Sequence, residues 1–350
     1  MPTFIPRAGL GSRPEMPRLT FVFEDGRVVR LDARPDETVY AAALRQKVRL
    51  ESDCLEGACA TCKGLCTQGA FELGEYADDA LSDSERAQGF TLACQMRPIT
   101  DCVLEFPYAS SQALARIAAV EEPGTVARIE RVATNVMRLD IERSTGMPFE
   151  YLPGQYMHLR VPGTAVMRSY SMANPRDASG LLSFYVKVLP AGAMSDYVSV
   201  RARPGDAIGI LGPFGHFYLR PATRPIVMVA GGTGLAPMLA MLEEMNRTAS
   251  NAPPIHLLYG VNIASEFFCA DQLDRLSRAP LSLRVDRIAV SGDGWSGRTG
   301  HVTTHLRDEL LCGGDVDAYL CGPPPMVEAA QSWLAQRGVT RIHAEKFVPS

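Results

Sequence analysis

Short apolar runs dominate the first hundred residues. Leu19-Thr-Phe-Val-Phe23 and Val28-Val-Arg-Leu31 are β-rich stretches flanking Glu-Asp-Gly-Arg, and Asp25-Gly26 between such runs predicts a hairpin. Residues 38–48 are alanine-rich with apolar positions at helical spacing, so a helix follows. From Gly124 the pattern turns to β: Val126, Ile129, Val132, Val136, Leu139 and Ile141 fall on short strands, and Leu182–Val188 is a clear strand. Several short strands at regular spacing predict a barrel or sandwich through about residue 221. After Pro225 the texture changes again. Ile226–Ala230 is continuously apolar, a glycine loop and an Ala/Met/Leu-rich helix follow, and apolar strands recur at 255–259, 282–290, 318–321 and 341–345. Alternation of helices with fully apolar strands predicts a parallel, helix-covered sheet.

These textures divide the 350 residues into a tail (1–17), a small α+β domain (18–108), an Ala/Ser-rich linker (109–121), an antiparallel β-barrel domain (122–222) and a parallel-sheet α/β domain (223–350). The first 17 residues are rich in Pro, Gly and Arg, lack the apolar stretch of a secretory signal and are expected to be flexible; a start at Met16 leaves every motif intact. A run of 18 apolar residues is absent, so no membrane span is expected. The formal net charge of −4 gives no electrostatic ground for nucleic-acid binding. Residues 18–108 hold 16 acidic against 10 basic side chains, making this module acidic on a near-neutral body.

Of nine cysteines, Cys54, Cys59, Cys62 and Cys66 fall within thirteen residues. Their clustering and odd total argue against a disulfide scaffold and for metal or redox use in a reducing, cytoplasmic compartment. Cys54, Cys59 and Cys62 have the C-x₄-C-x₂-C spacing of plant-type [2Fe–2S] proteins. Cys94, with 31 residues between it and Cys62, fits as the fourth ligand. Cys66 is a competing ligand or a spectator thiol, and the spectator reading is preferred because the spacing is complete without it. A zinc ribbon needs a second C-x₂-C, and a Rieske centre needs histidines, none of which precedes position 158. His301 and His305 stand at i,i+4 without a third zinc ligand in view.

Gly231-Gly232-Thr233-Gly234-Leu-Ala-Pro237 follows an apolar strand and precedes a helix, the context of a phosphate-binding turn. Pro237 stands where the third glycine of the dinucleotide fingerprint would be, and suits a first helical turn. Arg168-Ser-Tyr170-Ser171 offers a phosphate clamp, a flat ring and a hydroxyl. Gly192-Ala-Met194-Ser195 is a candidate wrap for the same phosphates. Cys321-Gly322-Pro-Pro ends a strand at the carboxyl edge of the sheet, where open α/β folds bind ligands.

Taken together and in this order, with Glu345-Lys-Phe347 at the carboxyl end, these motifs resemble the reductase components of aromatic-ring-hydroxylating dioxygenases, of the benzoate and anthranilate 1,2-dioxygenase type. The resemblance runs from about residue 18 to 348, and its carboxyl two-thirds is similar to the ferredoxin–NADP⁺ reductase superfamily. It implies a plant-type, β-grasp-like ferredoxin domain, an FAD-binding barrel and an NAD-binding domain. It also implies an NADH:acceptor oxidoreductase that passes electrons through FAD and the cluster to a terminal oxygenase serving aromatic hydrocarbon catabolism. A soluble di-iron monooxygenase is the alternative partner. By the same resemblance Cys54, Cys59, Cys62 and Cys94 ligate the cluster, Arg168 binds a flavin phosphate, and Tyr170 and Ser171 contact the isoalloxazine. Gly192, Met194 and Ser195 hold the FAD pyrophosphate, and Gly231, Gly232, Thr233, Gly234 and Pro237 cradle the NADH phosphates. Cys321 flanks the nicotinamide and Gly322 belongs to the cofactor-binding set; Ser171, Cys321, Glu345 and Phe347 form the reacting centre, with the Phe347 ring over the flavin. Leu55 and Ala60 depart from the residues common in the family, which leaves ligand spacing intact.

The resemblance also bears on nucleotide choice. NADPH users of the superfamily place Ser-Arg after the strand that here ends at Val290, whereas this chain has Ser291-Gly292-Asp293, so NADH is expected. Arg298, in the same glycine-rich loop, is the counter-argument. Asp78, Asp79, Asp83 and Glu85 are a candidate docking patch for the partner, or an ordinary solvated face.

Overall fold

The structure, a computed structural model, describes residues 16–113, 120–144, 151–175, 180–248, 252–278, 280–292 and 294–347. It forms two compact units, divided between Arg116 and Ile117. The tail to residue 15, Asp293 and residues 114–119 of the expected linker lie outside the described residues.

In the first unit β1 (Arg18–Phe23) and β2 (Val28–Asp32) make the expected hairpin, with Gly26 at φ 76° in its turn. Helix α1 (Val39–Arg45) is capped by the Thr38 hydroxyl, which accepts from Ala41 N–H. Its Val39, Tyr40, Ala42 and Ala43 are buried in the unit's core. The chain continues through β3 (Lys63–Gln68), β4 (Phe71–Leu73), α2 (Asp83–Ala87), β5 (Phe90–Leu92), β6 (Met96–Pro98) and β7 (Cys102–Phe106). The main sheet has the order β2-β1-β7-β3-β5, with β1 and β7 parallel. Periodicity missed β3 to β7 because most are short and carry cysteines or turns. Ser110–Ala113 is a helical turn, α3, where linker was expected.

The second unit opens with β8 (Val120–Ala133), one strand of 14 residues where several short ones were expected; two bulges, near Val126 and Arg131, break its alternation. Its antiparallel sheet is completed by β9 (Val136–Arg143), β10 (Tyr156–Arg160), β11 (Met167–Ser171), β12 (Leu181–Lys187) and β13 (Ala207–Phe214), in the order β11-β10-β13-β8-β9-β12, with the short helix α4 (Ala193–Asp196) between β12 and β13 in the chain. Ala173 N–H donates to Ser183 O, tying the end of β11 to β12. Leu139, Ile141, Met157, Leu159 and Phe184 fill the interior.

The rest of this unit is a six-stranded parallel sheet. Its elements are β14 (Ile226–Gly231), α5 (Leu235–Thr248), β15 (Ile255–Ile263), α6 (Ala270–Arg278), β16 (Leu283–Ser291), β17 (Arg298–Thr299), β18 (Asp317–Gly322), α7 (Pro324–Ala335) and β19 (Ile342–Lys346). The order β17-β16-β15-β14-β18-β19 reverses direction between β14 and β18. Such a switch point opens a crevice at the carboxyl ends of the strands, which is where the fold places a ligand.

Candidate functional site

The cysteine loop is built to present sulfur. Leu55, Gly57 and Ala60 all have positive φ (60°, 75° and 61°), which curls the chain so that its amides point inward. Glu56 and Ala58 N–H donate to Cys54 Sγ (3.4 and 3.2 Å), and Cys54 N–H donates to Cys59 Sγ (3.4 Å). Gly57 admits no side chain, since a Cβ would lie 2.7 Å from Glu75 O. Gln95 Nε2 donates to Leu55 O, fastening the loop to the segment that carries Cys94. The four sulfurs fall into two pairs. Cys54 and Cys59 share a hydrogen bond, and the Cys62 and Cys94 sulfurs are 3.3 Å apart. Hydrogen bonds from Cys59 and from the Glu56 and Ala58 amides bring the Cys54 thiol down to about 6, and Cys94 is lowered by Cys62. The pairing of the sulfurs fits a cluster with two ligands per iron; within each pair one thiol is lowered (Cys54, Cys94) and its hydrogen-bonded partner is raised (Cys59, Cys62). His301 precedes the short helical turn Val302–His305, and His305 Nε2 lies 2.9 Å from Thr299 O.

Cys66 is not part of this arrangement. Its thiol donates to Gln68 O and is lowered to about 7 by the Cys102 thiol. The acidic patch is also reduced by the structure. Glu85 caps α2 through Ser82 and pairs with Lys63 at 2.6 Å, and Asp83 lies 3.6 Å from Arg86; Asp78 and Asp79 are exposed in the preceding turn.

In the second unit the crevice at the switch point is formed by close backbone approach. A Cβ on Gly234 would lie 2.1 Å from Cys321 O, and one on Gly231 would lie 2.7 Å from the Met326 sulfur. Gly232, at φ 54°, has open space beside it. Pro237 sits in the first turn of α5, which starts at Leu235. The glycine turn therefore presents bare backbone at a helix start, a fit for phosphate. On the neighbouring strand pair Cys321 lies opposite Glu345, with Cys321 Sγ 4.0 Å from Glu345 Oε2. Ser171 Oγ, from the end of β11, donates to the same carboxylate oxygen at 3.1 Å. Ser171, Cys321 and Glu345 are all buried, at 4, 0 and 5% exposure, so the barrel and the parallel sheet meet in a dry polar junction. Phe347 N–H donates to Gly322 O, and its half-buried side chain packs against the core of this unit.

Three family models match the chain: a 2Fe-2S iron–sulfur cluster binding domain over residues 22–98, an oxidoreductase FAD-binding domain over 123–218 and an oxidoreductase NAD-binding domain over 228–332. The toluate 1,2-dioxygenase electron transfer component of Pseudomonas putida is 38% identical over 94% of this chain and 97% of its own length. The anthranilate 1,2-dioxygenase electron transfer component of Acinetobacter baylyi is 36% identical over 94% and 96%. The chain belongs to the family of dioxygenase electron transfer components. A propane 2-monooxygenase reductase component from Mycolicibacterium goodii is 31% identical over 89% of this chain and 92% of its own. Among solved structures, the Amycolatopsis cytochrome P450 reductase is 29% identical, with a TM-score of 0.81 over 95% of this chain and 99% of that one.

Within this family architecture the flavin-side residues take distinct parts. Arg168 and Tyr170 are half-buried on β11, and Tyr170 packs against the barrel core. Gly192 opens α4, where a Cβ would meet Ser195 Oγ at 2.8 Å. The Met194 side chain is buried in the barrel core, so only its backbone can face a phosphate. Ser195 Oγ accepts from Leu189 N–H, which makes it a shaper of this turn. Two contributors escaped the sequence reading. Gln155 Oε1 accepts from Leu152 N–H and its Nε2 donates to Gly215 O, locking the approach to β10. His158 is buried between Tyr156 and Phe214, with Nδ1 2.9 Å from Ser169 Oγ in the centre of the Arg168–Ser171 motif. Neither stands in a motif; the only signal was Pro153-Gly154 just upstream. Among the described residues no helix is long and apolar enough to cross a membrane.

Burial pushes His158 down to about 4, so it is neutral in the folded barrel. Protonation is therefore favoured in the unfolded chain, and stability present above pH 6.5 is lost as the pH falls toward 4. The loss reaches about 3 kcal/mol once both states are protonated or unfolding intervenes. The melting temperature of the wild type should fall between pH 7 and pH 4.5 more steeply than that of His158→Leu. Parallel slopes for the two proteins would remove His158 from the acid response.

Proposed function

We propose that this chain is the NADH-dependent reductase that carries electrons through FAD and its [2Fe–2S] cluster to the terminal oxygenase of an aromatic-ring-hydroxylating dioxygenase. The observation that carries this reading is the presence, in one chain, of two thiol pairs and of the buried Ser171–Glu345–Cys321 junction beside a phosphate-binding turn. A bound flavin takes a hydride and returns electrons singly, which is the conversion needed between a nicotinamide and an iron–sulfur cluster.

The chain's own residues supply position and electrostatics. Gly231 to Gly234 and the start of α5 offer backbone amides to the nucleotide phosphates. Arg168, on β11, would pair with a flavin phosphate, and Ser171 Oγ donates to Glu345 Oε2. Burial of that junction would keep water from a hydride transfer made there. Cys54, Cys59, Cys62 and Cys94 hold the cluster, with the Glu56 and Ala58 amides bonded to ligand sulfur. A reducing, cytoplasmic setting suits thiols that must stay unoxidised.

Purified holoenzyme should drive NADH-dependent dihydroxylation by a benzoate- or toluate-type oxygenase. Turnover only with a di-iron monooxygenase would reassign the partner. Analysis of the same protein should give one FAD, two irons and two sulfides per chain. Zinc, or four irons, would overturn the cluster assignment.

A further inference from the structure

We propose that Asp286 sets the preference for NADH over NADPH by holding Arg298 away from the adenosine 2′ position; this rests on the reading above that the chain oxidises a nicotinamide nucleotide. A 2′-phosphate needs a cation or strong donors near the carboxyl end of the strand that flanks the adenosine. With the pyrophosphate turn after β14, that edge is formed by the ends of β15 and β16.

One place for such a cation is closed. Gly292, directly after β16, has φ 153°, and a Cβ there would lie 2.6 Å from Ala264 Cβ and 3.0 Å from Ala264 N. Arginine at 292 would thus clash with the loop after β15. Arg298 is the cation that the chain returns to this side. Trp295 Nε1 donates to Arg298 O, and the Trp295 ring packs on Phe267, just past the end of β15.

The guanidinium of Arg298 nevertheless faces the other way. Its backbone lies beside Ile288 in β16, three residues short of Ser291, or about 10 Å at the usual strand rise. Asp286 lies two residues further back on the same face, and its Oδ1 is 3.5 Å from an Arg298 Nη. Asp286 is fixed in turn by His256 Nε2 at 2.9 Å, with Arg284 Nε at 3.8 Å. His256, Arg284 and Arg298 are thus the charged or titratable groups around this carboxylate among the described residues. Asp286 is largely buried and Arg298 about one-third exposed, so the carboxylate is the fixed partner and the arginine the movable one. Removing the charge of Asp286 frees Arg298 to turn toward the edge and meet a 2′-phosphate. Asp286 acts through Arg298 and is a positioning residue.

The test uses full-length holoenzyme with ferricyanide as acceptor, comparing NADH with NADPH, together with binding of adenosine 2′,5′-bisphosphate and of 5′-AMP. Asp286→Asn keeps a partner for His256 and loses the charge. It should raise kcat/KM for NADPH about 10-fold, as expected for one charge contact near the surface, with NADH unchanged within about 2-fold. It should also tighten 2′,5′-bisphosphate binding and leave 5′-AMP alone. Arg298→Ala alone should change neither nucleotide, and adding it to Asp286→Asn should cancel the gain. A gain that survives in the double variant, equal changes for both nucleotides, or a loss of NADPH use in Arg298→Ala would overturn the proposal. Failure of the wild type to oxidise NADH would instead overturn the functional reading, while the 2′,5′-bisphosphate titration would still decide the role of Asp286.

Discussion

Replacing Cys94 by serine will abolish electron delivery to the oxygenase while leaving NADH-to-ferricyanide turnover within about a factor of two, because the two chemistries sit in separately folded units. Cys94 is 6% exposed and its sulfur is paired with that of Cys62 at 3.3 Å. Ala93, next to it, is pinned on both sides: its N–H donates to Cys62 O and its carbonyl accepts from Tyr40 N–H. Serine fits this frame without moving the backbone and removes only the soft thiolate that the irons require. Loss of a direct ligand should exceed the 10–100-fold typical of outer partners, so oxygenase-coupled turnover should drop by more than about 100-fold. Iron and sulfide content should fall with it. Retention of a full cluster spectrum would point to Cys66 as fourth ligand. That outcome requires Cys66 to leave Gln68 O and Cys102, which the structure shows it engaging.

The legible parts of this chain were those where covalent spacing decides structure. Three cysteines at fixed intervals, a glycine turn between an apolar strand and a helix, and Cys-Gly-Pro-Pro at a strand end each dictate a local shape whatever surrounds them. The hairpin at Asp25-Gly26 and the parallel sheet were legible for the same reason. What stayed hidden depends on contacts distant in sequence. Ser171 and Glu345 are 174 residues apart, and His158 and Ser169 meet only because β10 and β11 pair in one register. Met194 looked like part of a phosphate wrap, yet a helical turn sends its side chain into the barrel. Glu85 looked like surface charge, yet Ser82 and Lys63 absorb it into a helix cap. Arg298 is the plainest case. Its place in the glycine-rich loop is the counter-argument to NADH in the sequence, and the fold pairs it with Asp286 on the adjacent strand at 3.5 Å.

The Ser171–Glu345 pair should carry much of the hydride step. The Ser171 hydroxyl donates to Glu345 Oε2 at 3.1 Å in a junction where both residues are nearly sealed from water. A preorganised donor in a dry site is worth far more than the same bond at the surface, and removing one typically costs about 100-fold to 1000-fold in kcat. Ser171→Ala should therefore lower NADH-to-ferricyanide kcat by about 100-fold, leaving KM for NADH and FAD content close to wild type. Glu345→Gln separates charge from packing. An amide oxygen still accepts the serine hydrogen bond, but the side chain can no longer hold a proton or a negative charge. If charge matters, Glu345→Gln should lose about as much as Ser171→Ala, and the double variant should lose little more than either, since both act on one unit. If geometry alone matters, Glu345→Gln should retain most of the rate. Stopped-flow reduction of the bound flavin by NADH reads this step directly. A rate for Ser171→Ala within a factor of two of wild type would show that the junction only joins the barrel to the sheet.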